Sequence, residues 1–149
     1  MLDAVGDLTF GAELRWSGRG TEGQGFVTLG EQSMLYAAPA SMGGKGVGTS
    51  PEQLLIAAVS ACYSGTLFAL LVKAGLPVKD VVIRSQGVVT GYPLTGKFAV
   101  LRVNPAIEGG EPARLAEYRQ EAERARDRCF IGKTIAGNVA YEVGEVTVT

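Results

Sequence analysis

The sequence predicts an α+β protein in which antiparallel sheets pack on a long central buried helix. Three observations predict it. Short β-like runs fill the first forty residues; an uncharged segment, LLIAAVSACYSGTLFALLV, occupies Leu54–Val72; and the rest of the chain offers two β-branched runs, one amphipathic helix and a closing β-like run. The order βββ-α-ββ-α-β groups strands with strands instead of alternating each with a helix, which argues against a doubly wound parallel sheet. At 149 residues the chain is expected to form one domain, 1–149, large enough to bury a core.

Each element has a local reason. Leu8–Trp16 alternates loosely, Gly25–Gly30 is short and glycine-flanked, and Ser33–Ala38 holds Met34, Leu35 and Tyr36, so three strands are expected there. Between the first two lies SGRGTEGQG, a glycine-rich turn, and ASMGGKGVGTS over Ala40–Ser50 is too rich in glycine for regular structure. The helix start is explicit: Ser50 as N-cap, Pro51 at N1, Glu52 at N2 against the positive dipole end, and Gln53 at N3 completing a capping box. Lys73, Gly75 as C′ and Pro77 form the matching stop, giving a helix of about 24 residues and roughly 36 Å. Val78–Thr90 and Lys97–Ile107 read as a hairpin joined by GYPLTG. Pro112–Cys129 is amphipathic, with Leu115, Tyr118, Ala122 and Ala125 on its apolar side, and Asn138–Thr149 alternates as a final strand.

Composition excludes several function classes. Hydrophobic residues make up 46% and charged residues 19%, ordinary for a globular protein, and the net charge of −1 offers neither a basic footprint for nucleic acid nor a polybasic membrane patch. The absence of histidine removes Cys-His and Ser-His-Asp catalysis and the commonest metal ligand. Two isolated cysteines form no CxxC pair, so neither a zinc site nor any other metal or cofactor is expected. MLDAVGDLTF lacks a positive n-region and a long apolar h-region, so no signal peptide is read and a cytoplasmic location is expected. In that reducing compartment the cysteines are either free buried thiols or a redox pair.

The long helix admits three readings. A membrane span would place Ser60, Cys62, Tyr63, Ser64, Gly65 and Thr66 at mid-bilayer without an aromatic belt or a one-sided basic flank, which argues against it. A core helix with a buried cysteine fits the usual behaviour of free Cys. Yet Ala58, Ala61, Cys62, Gly65 and Ala69 form a small-residue stripe, and a mid-helix glycine costs about 1 kcal/mol against alanine. The close approach of a second copy of this helix explains it, hence a homodimer. The third reading needs Cys62 as thiolate, of which an unperturbed thiol holds only about 3% at pH 7. Mid-helix it gains little from the dipole, so a nearby guanidinium is the expected activator.

GTSPEQLLIAAVSACYSG, Gly48–Gly65, resembles the signature of the osmotically inducible protein C / organic hydroperoxide resistance (OsmC/Ohr) family, whose members carry GTNPEELxxAxxxxC-like segments. A second cysteine about 67 residues later, in DRCFIGKTIAGNV, and the order of elements also match. The resemblance covers essentially the whole chain and is strongest over 43–75. It implies an intertwined homodimer with two sites at the subunit interface and a thiol peroxidase activity toward organic hydroperoxides. Carried over by position, Cys62 is the peroxidatic thiol, Cys129 the resolving thiol and Glu52 the carboxylate that holds an activating arginine. The regenerating reductant is an external dithiol, often a protein-bound lipoyl group. For the arginine, Arg19 in the early glycine-rich turn is favoured, with Arg15 and Lys45 behind it. Glu52 and Cys62 lie ten residues apart, about 15 Å along one helix, so a shared site takes Glu52 from the partner helix. Where family members commonly have proline after the second cysteine, this chain has Phe130. Tyr63, Phe68, Phe130 and Met42 are the candidates to line an apolar substrate pocket. The alternatives are a diverged dimer that binds a small apolar ligand, and an interaction protein with incidental cysteines.

Overall fold

The computed structural model describes residues 6–149, so the reading of MLDAVGDLTF falls partly outside the described residues. The chain forms two compact units, one ending at Leu54 and one spanning Leu55–Thr149.

In the first unit β1 (Glu13–Ser17), β2 (Gln24–Leu29) and β3 (Gln32–Tyr36) make an antiparallel meander in that order. Period-two alternation puts Leu14, Trp16, Val27, Met34 and Tyr36 on one face, as the pairs Leu14–Val27–Met34 and Trp16–Gly25–Tyr36 require. The first strand starts at Glu13, five residues later than Leu8–Trp16 predicts, because the loose alternation before it finds no strand to pair with. Two glycines make room for rings. A Cβ on Gly25 would strike the Tyr36 ring, and one on Gly23 would strike Trp16, whose ring centre lies 5.6 Å from that of Tyr36.

Ser50 caps the helix as read, but Gln53 closes onto its hydroxyl and not onto its main-chain N–H. Ser50 Oγ accepts the Gln53 N–H at 3.2 Å and donates to its Oε1 at 3.2 Å, starting α1 (Pro51–Lys73). The helix ends in a Schellman motif: Leu76 N–H bonds Leu71 C=O at 2.9 Å, Gly75 N–H bonds Val72 C=O at 3.1 Å, and Gly75 takes φ +71°. Leu71 and Leu76, the apolar pair of that motif, are both buried.

The second unit is built on the long pair β4 (Asp80–Thr90) and β5 (Lys97–Glu108), antiparallel with an irregularity at Val88/Val89. The expected closing strand is two short ones, β6 (Ala140–Val143) and β7 (Thr147–Val148), and both run parallel to β5. This corrects the expectation of wholly antiparallel sheets, since alternation reports which face a residue occupies and not the direction of its strand. Gly144 separates the two: a Cβ there would strike Asn104 and Arg102. The second helical segment also divides. A 3₁₀ turn at Pro112–Arg114 leads into α2 (Leu115–Arg128), and after Cys129 a six-residue α3 (Phe130–Ile135) follows.

The core of this unit gathers Val59, Tyr63, Leu67 and Leu71 from α1, four residues apart, against Leu101, Val103 and Ile107 of β5 and Tyr118, Ala122 and Ala125 of α2. Burying each large aliphatic side chain contributes about 1.5–3 kcal/mol. Tyr118 pins the start of α2, donating to Pro77 C=O at 2.6 Å and accepting Glu111 N–H at 3.1 Å. The other face of α1, with Ala58, Ala61, Gly65, Phe68, Ala69 and Val72, is exposed. Among the described residues α1 is the one helix long and apolar enough to cross a membrane. Its central hydroxyls are turned back on the helix: Ser60, Ser64 and Thr66 each bond a carbonyl three or four residues earlier, and Ser60 also bonds Ser85 of β4 at 2.6 Å.

Candidate functional site

The site is a pair of free thiols brought together by α1 and the α2–α3 junction. Cys62 stands at mid-helix on α1 and is half-buried; Cys129 is fully buried. Cys129 occupies a hinge between helices: its N–H still bonds Ala125 C=O at 3.0 Å, while its C=O accepts Lys133 N–H at 2.9 Å and starts α3. Its backbone, at φ −66° and ψ 114°, is extended, which breaks the helix there. Its sulfur then serves as the N-cap acceptor of α3, taking the Gly132 N–H at 3.4 Å.

Burial alone would push the Cys62 thiol up, but the net direction is down. The Cys129 thiol first, then the main-chain N–H groups of Ile131 and Phe130 and the Thr66 hydroxyl, lie near enough to its sulfur to favour the thiolate. No arginine stands among these groups. Cys129 shifts the opposite way, raised by burial and by the hydrogen bond it gives to Cys62, against the Gly132 N–H, which lowers it. The half-buried thiol is thus the more acidic of the two.

Two phenols close the site. Tyr63, next to Cys62, is fully buried and donates to Ala122 C=O at 3.0 Å, tying α1 to α2. Tyr141 of β6 lays its ring on Gly132, where a Cβ would collide with it. Its hydroxyl is shielded from water near Cys129 and has no hydrogen-bond partner of ordinary geometry among the described residues. Burial raises both phenols above the ordinary tyrosine range. Beside Tyr141 a cavity of about 210 Å³ opens, lined also by Gly132, Lys133 and Arg126. Arg126 is tied to Glu123 at 2.8 Å and Asp127 at 3.0 Å.

Of the residues expected from sequence, Cys62 and Cys129 meet in the second unit, while Glu52, Arg19, Arg15 and Lys45 belong to the first. Arg19 precedes the 3₁₀ turn Gly20–Glu22 and its C=O accepts Glu22 N–H at 3.1 Å; it is exposed. Arg15 lies on β1 opposite Phe26, exposed, and Lys45 bonds Gln24 Oε1. Glu52 has Oε1 shielded from water with no hydrogen-bond partner among the described residues. Of the pocket candidates, Tyr63 is core, Phe68, Phe130 and Met42 are exposed. Thr66, Tyr141 and the N–H groups of Phe130 and Ile131 were not foreseen. Thr66 carried a signal, lying one helical turn past Cys62.

A half-buried thiol thus stands against a fully buried one on an α+β scaffold with a long central helix. The OsmC-like protein family matches residues 43–144, and the chain belongs to that family. It is 27% identical over 142 residues to the uncharacterized protein YmaD of Bacillus subtilis, covering 93% of this chain and 94% of that one. Its fold is similar to an OsmC-like protein from Mycoplasma pneumoniae (TM-score 0.76, 14% identity, 96% of this chain and 99% of that one). It is also similar to an organic hydroperoxide resistance protein OsmC from Legionella pneumophila, described as a predicted redox protein (TM-score 0.73, 24% identity, 95% and 99%).

Proposed function

We propose that this protein is a cysteine-based peroxidase that reduces organic hydroperoxides to alcohols, working as a homodimer in the cytoplasm. The observation that carries the reading is the thiol pair, with the accessible Cys62 held acidic by the buried Cys129. The Cys62 thiolate attacks the outer oxygen of the hydroperoxide, the O–O bond breaks, and the alkoxide takes a proton to leave as alcohol. Cys62 is then a sulfenic acid, and the Cys129 thiolate displaces hydroxide from it, which departs as water and leaves a Cys62–Cys129 disulfide. An external dithiol, such as a protein-bound lipoyl group, reduces that bond and is itself oxidised to a disulfide. The partnerless Glu52 Oε1 supports a shared site in which Glu52 holds an arginine, Arg19 being the first candidate. The exposed Ala/Gly face of α1 supports the dimer.

The test follows cumene hydroperoxide loss with a dithiol present, for wild type and Cys62→Ser. Turnover by wild type that vanishes in the variant is expected; no turnover, or turnover that survives the substitution, refutes the reading. A second reading, a diverged member that binds a small apolar ligand, is favoured by one observation: no arginine stands among the groups that act most strongly on Cys62.

A further inference from the structure

We propose that the cavity beside Tyr141 binds a small organic monocarboxylate with an aromatic or branched apolar body, and that its occupancy holds α3 closed over Cys129. At about 210 Å³ the cavity lies below the roughly 300 Å³ at which sites for drug-sized ligands begin, so its occupant is small. Two kinds of wall prescribe that occupant. One is apolar: Ala136, Val139 and the Tyr141 ring, with Gly132 and Gly137 bringing no side chain into the space. A Cβ on Gly137 would meet no atom within reach, so the room there is open. The other wall is charged and consists of Arg126, Asp127 and Lys133.

The charges decide the sign of the ligand. Arg126 Nη1 bonds Glu123 at 2.8 Å and its Nε bonds Asp127 at 3.0 Å, and neither bond uses Nη2. Within the lining Arg126 and Asp127 cancel, while Lys133 has no ion pair among the described residues. Glu123, the second acid on Arg126, stands outside the lining. One positive charge is left over, which suits a monoanion; a second negative charge would face Asp127 instead. The cavity also shares a wall with the thiol pair. Gly132, which admits the Tyr141 ring, gives its N–H to Cys129 Sγ at 3.4 Å. An acid held by Arg126 of α2 and Lys133 of α3, with its body on Tyr141 of β6, ties α3 to both neighbours. Cys129 is 0% exposed, so a reagent reaches it only by local opening, and lifting α3 dismantles the cavity at the same time.

The test uses benzoate as the probe, benzamide as its neutral counterpart and acetate as the acid without a body. In NMR spectra of the full chain, benzoate should shift the amides of Gly132, Lys133, Gly137 and Val139 saturably, with a dissociation constant of about 1–10 mM for so small a ligand. Benzamide and acetate should both bind more weakly. Lys133→Gln removes the unpaired charge and should weaken benzoate about fivefold while leaving benzamide unchanged. Ala136→Leu fills the space and should abolish binding; if that variant fails to fold, Lys133→Gln decides. Benzoate at about ten times its dissociation constant should slow iodoacetamide alkylation of Cys129, located by mass spectrometry, about tenfold, by the mass action of a ligand that only the closed form binds. Any one of three results overturns the proposal: no saturable shifts at these residues, a Lys133→Gln protein that binds benzoate as wild type does, or Cys129 alkylation that benzoate leaves unslowed. No peroxide enters these measurements, so they stand or fall apart from the peroxidase reading.

Discussion

Cys62 and Cys129 act on one another and shift in opposite directions, so the two titrate as one unit with two macroscopic steps. The first proton leaves the pair more readily than from an isolated thiol and the second less readily, which widens the pH span of the monoanion that attacks. The phenols behind the pair give a separate test. Tyr63 and Tyr141 both hold their protons more tightly in the folded chain than in the unfolded one. A group with a raised folded value contributes stability that is complete below its unfolded value, near 10 for tyrosine, and lost as pH climbs through the folded value. Stability should therefore fall above about pH 10, and less steeply in Tyr141→Phe. At pH 7 the same two positions should part. Tyr63→Phe forfeits a buried hydrogen bond and should cost about 1 kcal/mol, whereas Tyr141→Phe removes a hydroxyl buried without a partner and should be neutral or stabilising. Urea melts of both variants at pH 7 and pH 10.5 check all of this.

At the scale of elements, α3 is the short piece on which the thiol pair depends, and Gly132 is the residue that seats it. Its N–H caps onto the Cys129 sulfur, and its missing side chain admits the Tyr141 ring. Gly132→Ala should therefore destabilise the fold by a few kcal/mol, in the range of core overpacking, although alanine favours helix everywhere else. A melt in which Gly132→Ala gains stability would contradict the packing. The sequence made α1 legible because all of its signals are local: Ser50 and Gln53 at one end, Gly75 and Pro77 at the other. It did not reveal α3, whose N-cap is a thiol outside the Ser/Thr/Asp/Asn vocabulary and whose six residues are too few to show a period. Nor did it reveal the break at Gly144, where the reason is Asn104 and Arg102 on a distant strand. The site divides in the same way. Cysteine spacing and flanking motif mark Cys62 and Cys129, while the N–H donors at 130 and 131 belong to every residue but proline and leave no trace in residue identity.

For the molecule as a whole, the informative position is Gly65. A Cβ there meets nothing among the described residues, so they give the glycine no packing reason. Gly65→Ala should stabilise the isolated helix by about 1 kcal/mol. If α1 abuts its twin as proposed, the bulkier Gly65→Leu should instead split the dimer, moving the mass measured by light scattering to that of one 15.6 kDa chain. A Gly65→Leu protein that stays dimeric would place the contact elsewhere. The bare side of α1 has one more implication. An apolar helix face that a single chain leaves in water is protected only while a second chain is present, so mass action enters the stability itself. The melting temperature of the proposed dimer should then rise with protein concentration, and simple dilution, without urea or heat, would act on this protein as a denaturant.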